Sequence, residues 1–191
     1  MLIGQLNLVP VMKGVVFTEF LDLVDQEFGE VTVDQIVEES DLPSHCVYTA
    51  VGTYDYSELD YLLSSLANKS GISKPALLMR YGEHLFGRFT TLYPAFLSDA
   101  SDVFSFLERV ETQIHVEVLK LYPDAELPTF ESERLSPQCF KMTYRSQRPL
   151  QDLCEGLIRG AMKHFDEEFV ISRQDQSSQN ETQFVFTITR V

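Results

Sequence analysis

Residues 139–150 read CFKMTYRSQRPL, and this stretch decides how the second half of the chain is interpreted. We predict a β-strand over Cys139–Arg148, which the following proline ends. Because alternate residues of a strand share a face, Tyr144, Ser146 and Arg148 are expected to point the same way. Two hydroxyls and a guanidinium can bind carboxylates, although a solvent-facing polar strand would carry the same residues.

Apolar periodicity on either side of this strand predicts an α+β fold. Helices are predicted over Met12–Phe28, Val33–Glu38, Ser57–Gly71, Ser73–Tyr93, Ser101–Tyr122 and Leu150–Phe165. Further strands are predicted over Thr129–Arg134, Phe169–Arg173 and Gln183–Thr189. The expected architecture is a helical N-terminal subdomain plus an antiparallel sheet backed by helices.

The length and hydropathy of the chain fit one globular domain. It has 191 residues, of which 44% are hydrophobic, and it contains no apolar run long enough to span a membrane. The first eleven residues lack the basic start and cleavage site of a signal peptide. We therefore expect residues 1–11 to be an N-terminal extension and residues 12–191 to form a single domain, with Met12 as a natural beginning.

The charge and the cysteines limit the partners and the compartment. A net charge of −14 argues against a nucleic-acid partner, because binding a phosphate backbone needs a basic surface. The three cysteines are scattered, with neither a CxxC pair nor the spacing of a zinc site. This pattern is typical of a reducing compartment, and we predict a cytoplasmic location.

Among the four histidines, His115 stands out because it lies in the longest predicted helix. Val118 and Leu119 follow it at helical spacing, so its imidazole is expected beside an apolar surface. A histidine in this setting can be an ordinary packing residue, and it can also be the axial ligand of a haem iron. Solvent-facing or edge positions are expected for His84 and His164, and a loop position for His45.

The motif Tyr-x-Ser-x-Arg, 29 residues after a histidine in a long helix, resembles the H-NOX (haem nitric oxide/oxygen binding) family, and in particular its stand-alone bacterial members. The resemblance spans nearly the whole chain from residue 12. It also includes Met12–Lys13–Gly14, Gly82, Phe89, Tyr93–Pro94, Leu127–Pro128 and Gly156–Leu157. It implies one H-NOX domain with haem b between the helical subdomain and the sheet.

Carried over to this chain, the resemblance implies a role for individual residues. His115 resembles the axial iron ligand, and Tyr144, Ser146 and Arg148 resemble a clamp for the haem propionates. Pro128 falls where the family has a proline that packs on the haem. The implied distal pocket is entirely apolar and consists of Val16, Phe20, Leu85, Phe89, Leu153 and Leu157.

Two features set this sequence apart from some members of the family. Leu153 stands where oxygen-binding members carry a tyrosine, so NO and CO are the expected ligands. Residues 172–182 contain neither cysteine nor histidine, so we expect no zinc cluster of the kind that some relatives carry there.

The resemblance implies a sensor rather than an enzyme. NO binding to ferrous haem would weaken the bond between iron and His115 and shift the conformation. The chain ends without an output domain, so the expected partner is a separate histidine kinase or cyclic-di-nucleotide enzyme. Two alternatives are a haem peroxidase, which needs a distal acid–base group, and a haem-free module in which His115 and Arg148 only pack.

Overall fold

The structure, a computed structural model, describes residues 10–191. Most of the predicted extension, residues 1–9, therefore lies outside the described residues. Val11, the last residue of that extension, already belongs to the first strand, β1 (Val11–Lys13). The division of the chain at residue 12 stays a prediction.

The N-terminal half of the described chain is helical, as predicted. It contains α1 (Gly14–Phe28), α2 (Glu30–Glu38), α3 (Tyr56–Ser70) and α4 (Lys74–Leu92). Their ends follow local chemistry: the side chains of Asp55 and Ser73 accept hydrogen bonds from the first turns of α3 and α4. Gly71 ends α3 in the left-handed conformation, with φ of 71°.

A small two-stranded sheet was missed in the sequence. Strand β2 (Thr53–Asp55) pairs antiparallel with β1, and Met12 lies opposite Tyr54. Each strand has three residues and the two are far apart along the chain, so neither shows a readable alternation of polar and apolar residues. The sheet joins the start of α1 to the start of α3.

The C-terminal half forms the predicted antiparallel sheet with a helix packed on it. The elements are β3 (Thr129–Ser136), β4 (Cys139–Ser146), α7 (Gln151–His164), β5 (Phe169–Asp175) and β6 (Thr182–Arg190). The strand order is β3-β4-β6-β5, and each neighbouring pair is antiparallel. These elements confirm the α+β fold class.

Strand β4 ends earlier than predicted. It stops at Ser146, and Arg148 lies beyond it in a bend where its backbone N–H donates to Ser146 Oγ at 3.0 Å. The predicted end of the strand at Arg148 was therefore wrong, and a bend rather than strand alternation orients this residue. The hydrogen bond to Ser146 turns the backbone instead.

The long helix predicted over Ser101–Tyr122 is interrupted. An α-helical part, α5 (Val103–Arg109), is followed by a π-helical turn (Val110–Ile114) and then by α6 (His115–Leu121). A π turn holds one more residue than an α turn and occurs often at functional sites. The turn has only five residues, which are too few for the spacing of apolar side chains to reveal it in the sequence.

Two hydrophobic cores meet where α4 packs on α7. One core lies mainly within the helical half and also includes Leu150 and Leu153 at the start of α7, and the other lies between α5, α7 and the sheet. Gly82 of α4 and Gly156 of α7 permit a close approach, because a Cβ built on Gly156 would lie 2.2 Å from the Met79 carbonyl oxygen and 2.8 Å from Gly82 Cα. Within residues 10–191, no helix is both long and apolar enough to cross a bilayer.

We predict that Gly156→Ala destabilises the fold, because its methyl group would collide with the backbone of α4. The expected loss in the free energy of unfolding is about 1–3 kcal/mol, the usual cost of overpacking. Gly87→Ala is the matched control, since no heavy atom of the described residues, apart from the adjoining backbone of α4 itself, lies within 4 Å of a Cβ at that position. It should stabilise the protein by up to about 1 kcal/mol in the same urea titration. Equal stability of the wild type and Gly156→Ala would contradict the close approach of the two helices.

Candidate functional site

A large, mainly apolar cavity lies between the two cores. Its wall includes residues of both cores, from α1, α4, α5, the π turn, α6, β3, β4 and α7. Of the residues singled out from the sequence, it is lined by Val16, Leu85, Phe89, His115, Pro128, Tyr144, Ser146, Arg148, Leu153 and Leu157. The fold thus brings together side chains that lie up to 141 residues apart in the sequence.

Phe20 is the one predicted pocket residue that does not line the cavity. Its side chain is fully buried in the helical core, where its ring meets that of Tyr81 edge-on at a centroid distance of 5.4 Å. The family resemblance implied that Phe20 lines the pocket together with Val16, which does reach the cavity. The Tyr81 hydroxyl donates to the Val16 carbonyl, and Tyr81, like Phe20, lies outside the cavity lining.

His115 is the histidine that lines the cavity. Its Nδ1 lies 3.2 Å from Glu111 Oε2, and its side chain is 15% exposed. Burial lowers the pKa of His115, and the neighbouring Glu111 carboxylate opposes that shift. With Nδ1–H donated to the carboxylate, Nε2 carries the lone pair that a metal requires.

The other histidines lie outside the cavity lining. His84 was expected at a solvent-facing or edge position, yet its side chain is only 12% exposed and lies 3.6 Å from the buried Glu19 carboxylate. Arg88 forms the closer ion pair with Glu19, at 2.6 Å. His164 packs against aromatic rings, and His45 lies in the loop before β2.

Sulfur-bearing side chains in the lining were not singled out in the sequence. Met142 of β4 and Cys154 of α7 both line the cavity. Burial raises the pKa of the Cys154 thiol, which keeps it protonated and makes it a poor metal ligand. His115 is therefore the better ligand in this wall.

The polar end of the cavity contains the three residues of the Tyr-x-Ser-x-Arg motif. The Tyr144 hydroxyl donates to the Arg148 carbonyl at 3.2 Å, and burial raises the pKa of this hydroxyl. Ser146 Oγ accepts from Arg148 N–H, and both residues are less than 10% exposed. The motif thus forms a compact polar group in an otherwise apolar wall.

Arg148 has partners that the sequence did not reveal. Its guanidinium donates to the carbonyls of Val11 and Glu126, and lies 3.4 Å from the Glu126 carboxylate. Its Nε is buried without a hydrogen-bond partner among the described residues. A buried, unpaired guanidinium N–H is costly, and an anion entering the cavity at this end would satisfy it. Val11 and Glu126 are far from Arg148 in the sequence, so no local motif could identify them as its partners.

The remaining hydroxyls of the lining already have hydrogen bonds. Tyr93 and Tyr122 contact each other through their hydroxyl oxygens at 3.1 Å, which raises the pKa of Tyr93 to about 12. Thr90 Oγ1 donates to the Gly87 carbonyl at 2.8 Å. The wall formed by α4 and α7 therefore offers few donors to a bound molecule.

A family model described as Haem-NO-binding matches residues 13–173, which is most of the chain. The chain belongs to the H-NOX family. Its architecture matches an Fe(II) unliganded H-NOX protein from K. algicida at 39% identity, with 94% of this chain and 97% of that chain covered and a TM-score of 0.87. A mutant of that protein matches at 40% identity over the same shares, with a TM-score of 0.88.

A second relative is an H-NOX protein from Shewanella woodyi in an Fe(II)CO ligation state. It is 38% identical, with 94% of this chain and 95% of that chain covered and a TM-score of 0.80. The search of curated proteins gave no significant match. H-NOX domains are haem-binding gas sensors, so the family agrees with the class of function inferred from the sequence.

The cavity fits the group that the family binds. His115 would offer an imidazole nitrogen to iron in an apolar setting, and Arg148 Nε, which has no partner among the described residues, would donate to a propionate. Ser146 and Tyr144 lie beside it and offer further hydroxyls. Pro128 lines the same space from the segment before β3.

For the haem-loaded protein we predict that Arg148→Ala speeds haem loss to an acceptor protein more than Ser146→Ala does. A charge-assisted hydrogen bond is worth about 1.5–3 kcal/mol and a neutral one about 1 kcal/mol. Arg145→Ala is the control, because this arginine pairs with Glu131 outside the cavity lining. Equal rates of haem loss from the wild type and the three variants would refute a role of Arg148 and Ser146 in holding the propionates.

Proposed function

We propose that this H-NOX domain is a nitric oxide sensor that binds haem b through His115. The observation that carries the proposal is the arrangement of the cavity. Among residues 10–191, its lining has one histidine, an arginine donor without a partner at its polar end, and aliphatic and aromatic residues on the side formed by α4 and α7. A visible absorption spectrum of the purified protein, recorded before and after reduction and NO addition, tests it.

The protein's part in the response begins at the helix that carries His115. His115 would hold the haem iron, and the haem would supply the binding site for NO. We propose that NO binding weakens the hold of His115. His115 is the first residue of α6 and directly follows the π turn, so a change in the force on its ring is transmitted to an irregular, short stretch of helix. We propose that this stretch moves and alters the packing between the two halves.

The apolar residues on the α1, α4 and α7 side of the cavity favour NO and CO over oxygen as ligands. Val16, Leu85, Phe89, Leu153 and Leu157 have no side-chain hydrogen-bond donor. Oxygen gains more from a nearby donor than NO or CO does, because it takes up partial negative charge at ferrous iron. We therefore propose NO as the physiological ligand and CO as a second one that the protein accepts.

The signal would pass to a separate chain. By family resemblance we propose a histidine kinase or a cyclic-di-nucleotide enzyme as the partner. Val116 and Leu119 on the outer side of α6 are 45% and 41% exposed, which gives the moving helix an apolar surface for such a contact. The net charge of −14 would favour a basic patch on the partner.

The two rival functions differ from a sensor in measurable ways. A peroxidase would need an acid–base group near the open haem face, and the five wall residues named above contain none. A packing module without haem would show no Soret absorption after reconstitution. The cavity favours a haem-binding function over a haem-free module, because Arg148 Nε has no partner among the described residues and would stay unsatisfied without a bound anion.

His115→Gly should lose haem or retain it only with added imidazole. The substitution removes the axial nitrogen and leaves the rest of the cavity in place. His164→Ala is the control, because this histidine lies outside the cavity lining and should leave the haem content unchanged. The pyridine haemochromogen content of each purified protein measures the result. Full retention of haem with an unchanged spectrum in His115→Gly would refute the assignment.

The reduced protein should bind NO and CO but form no persistent oxygen complex in air. A donor to bound oxygen is worth about 1.5–3 kcal/mol, or ten- to over a hundredfold in affinity, and the five apolar residues named above supply none. Visible spectra taken over minutes after air is admitted measure this. Leu153→Tyr adds a hydroxyl to the wall and is expected to raise oxygen affinity. A stable oxygen spectrum in the wild type would instead point to Tyr93 or Tyr122, which Tyr93→Phe would then test.

A further inference from the structure

Glu111 connects the proposed iron ligand to the sheet. Its Oε2 lies 3.2 Å from His115 Nδ1 and 3.1 Å from the backbone nitrogen of Phe130. Phe130 is the second residue of β3, and its ring centroid lies 5.5 Å from that of His115. One carboxylate oxygen thus accepts from a histidine on a helix and from the backbone of a strand.

The π turn places Glu111 in this bridge. Glu111 is the second residue of the turn and lies four positions before His115. Side chains four apart on a helix are neighbours, so the carboxylate can reach the imidazole on the side away from Nε2. The bond to Phe130 N–H fixes the carboxylate from a second direction, which a simple surface ion pair lacks.

We infer that Glu111 is a positioning residue that fixes the orientation and tautomer of His115 and strengthens its bond to iron. This inference rests on the proposed function. A carboxylate that accepts the Nδ1 proton of an axial histidine makes Nε2 a stronger electron donor. It therefore opposes release of the imidazole when NO binds, and it sets how readily the sensor responds.

Through the hydrogen bond from Phe130 to Glu111, a movement of His115 would also affect the sheet. When His115 moves, either its hydrogen bond to Glu111 breaks or Glu111 moves with it and pulls on the start of β3. Phe130 is paired with Tyr144 of the neighbouring strand β4, and their rings lie 5.7 Å apart. The Glu111 bridge therefore links His115 to the Tyr-x-Ser-x-Arg motif at the polar end of the cavity.

The test compares Glu111→Gln and Glu111→Ala with the wild type in the haem-loaded ferrous protein. Glutamine can still accept from Phe130 N–H and keeps the fold, but it removes the negative charge. Glu117→Gln is the matched control, because it removes a charge two residues after His115 from a side chain that pairs with Lys120 on the surface. Resonance Raman spectroscopy gives the iron–histidine stretching frequency, and a spectroelectrochemical titration gives the reduction potential.

We expect Glu111→Gln to lower the iron–histidine stretching frequency and to raise the reduction potential. The ratio of five- to six-coordinate NO complex should increase by about tenfold or more, which is the scale of outer-shell effects on metal ligands. Glu111→Ala should change each quantity further, and Glu117→Gln should change none. Identical frequencies and potentials in the wild type and Glu111→Gln would overturn the inference. A wild type that takes up no haem would instead refute the proposed function itself.

Discussion

The close contact between α4 and α7 is the constraint on which the rest of the structure depends. It brings the helical half against the half that contains the sheet, with Gly82 and Gly156 at the point of approach. Leu85 and Phe89 continue from this contact on one helix, and Leu153 and Leu157 flank it on the other. A wider separation would open the apolar wall of the cavity to water, and it would separate that wall from the polar motif on β4.

Within residues 10–191, three charged side chains line the cavity, and each has a partner of opposite charge: Lys13 pairs with Asp124, and Arg148 pairs with Glu126. Arg148 also donates to the carbonyls of Val11 and Glu126, and its Nε has no partner among the described residues. Glu111 lies outside the lining and accepts from His115, which is part of it. Burying charges without partners would cost several kcal/mol. The rest of the lining is mainly apolar, which suits an apolar group with an anionic edge.

Much of this architecture could be predicted from the sequence, because helix periodicity and caps are local. Asp55 and Ser73 stand at helix starts for reasons that three or four residues determine. Phe20 shows the limit: the family resemblance assigned it to the pocket, but its packing against Tyr81 of α4 places it in the helical core. The bridge from Glu111 to Phe130 and the pairing of β1 with β2 depend on contacts between distant segments, and no local pattern encodes them.

The π turn before His115 also affects how related chains should be aligned. Because this turn contains one residue more than an α turn, α5 and α6 both keep their apolar sides towards the cavity without sharing one continuous helical repeat. A homologue whose corresponding helix is regular throughout would match both flanks only with a gap of a single position between Val110 and Ile114. Aligned without that gap, its axial histidine would be assigned to a neighbouring residue.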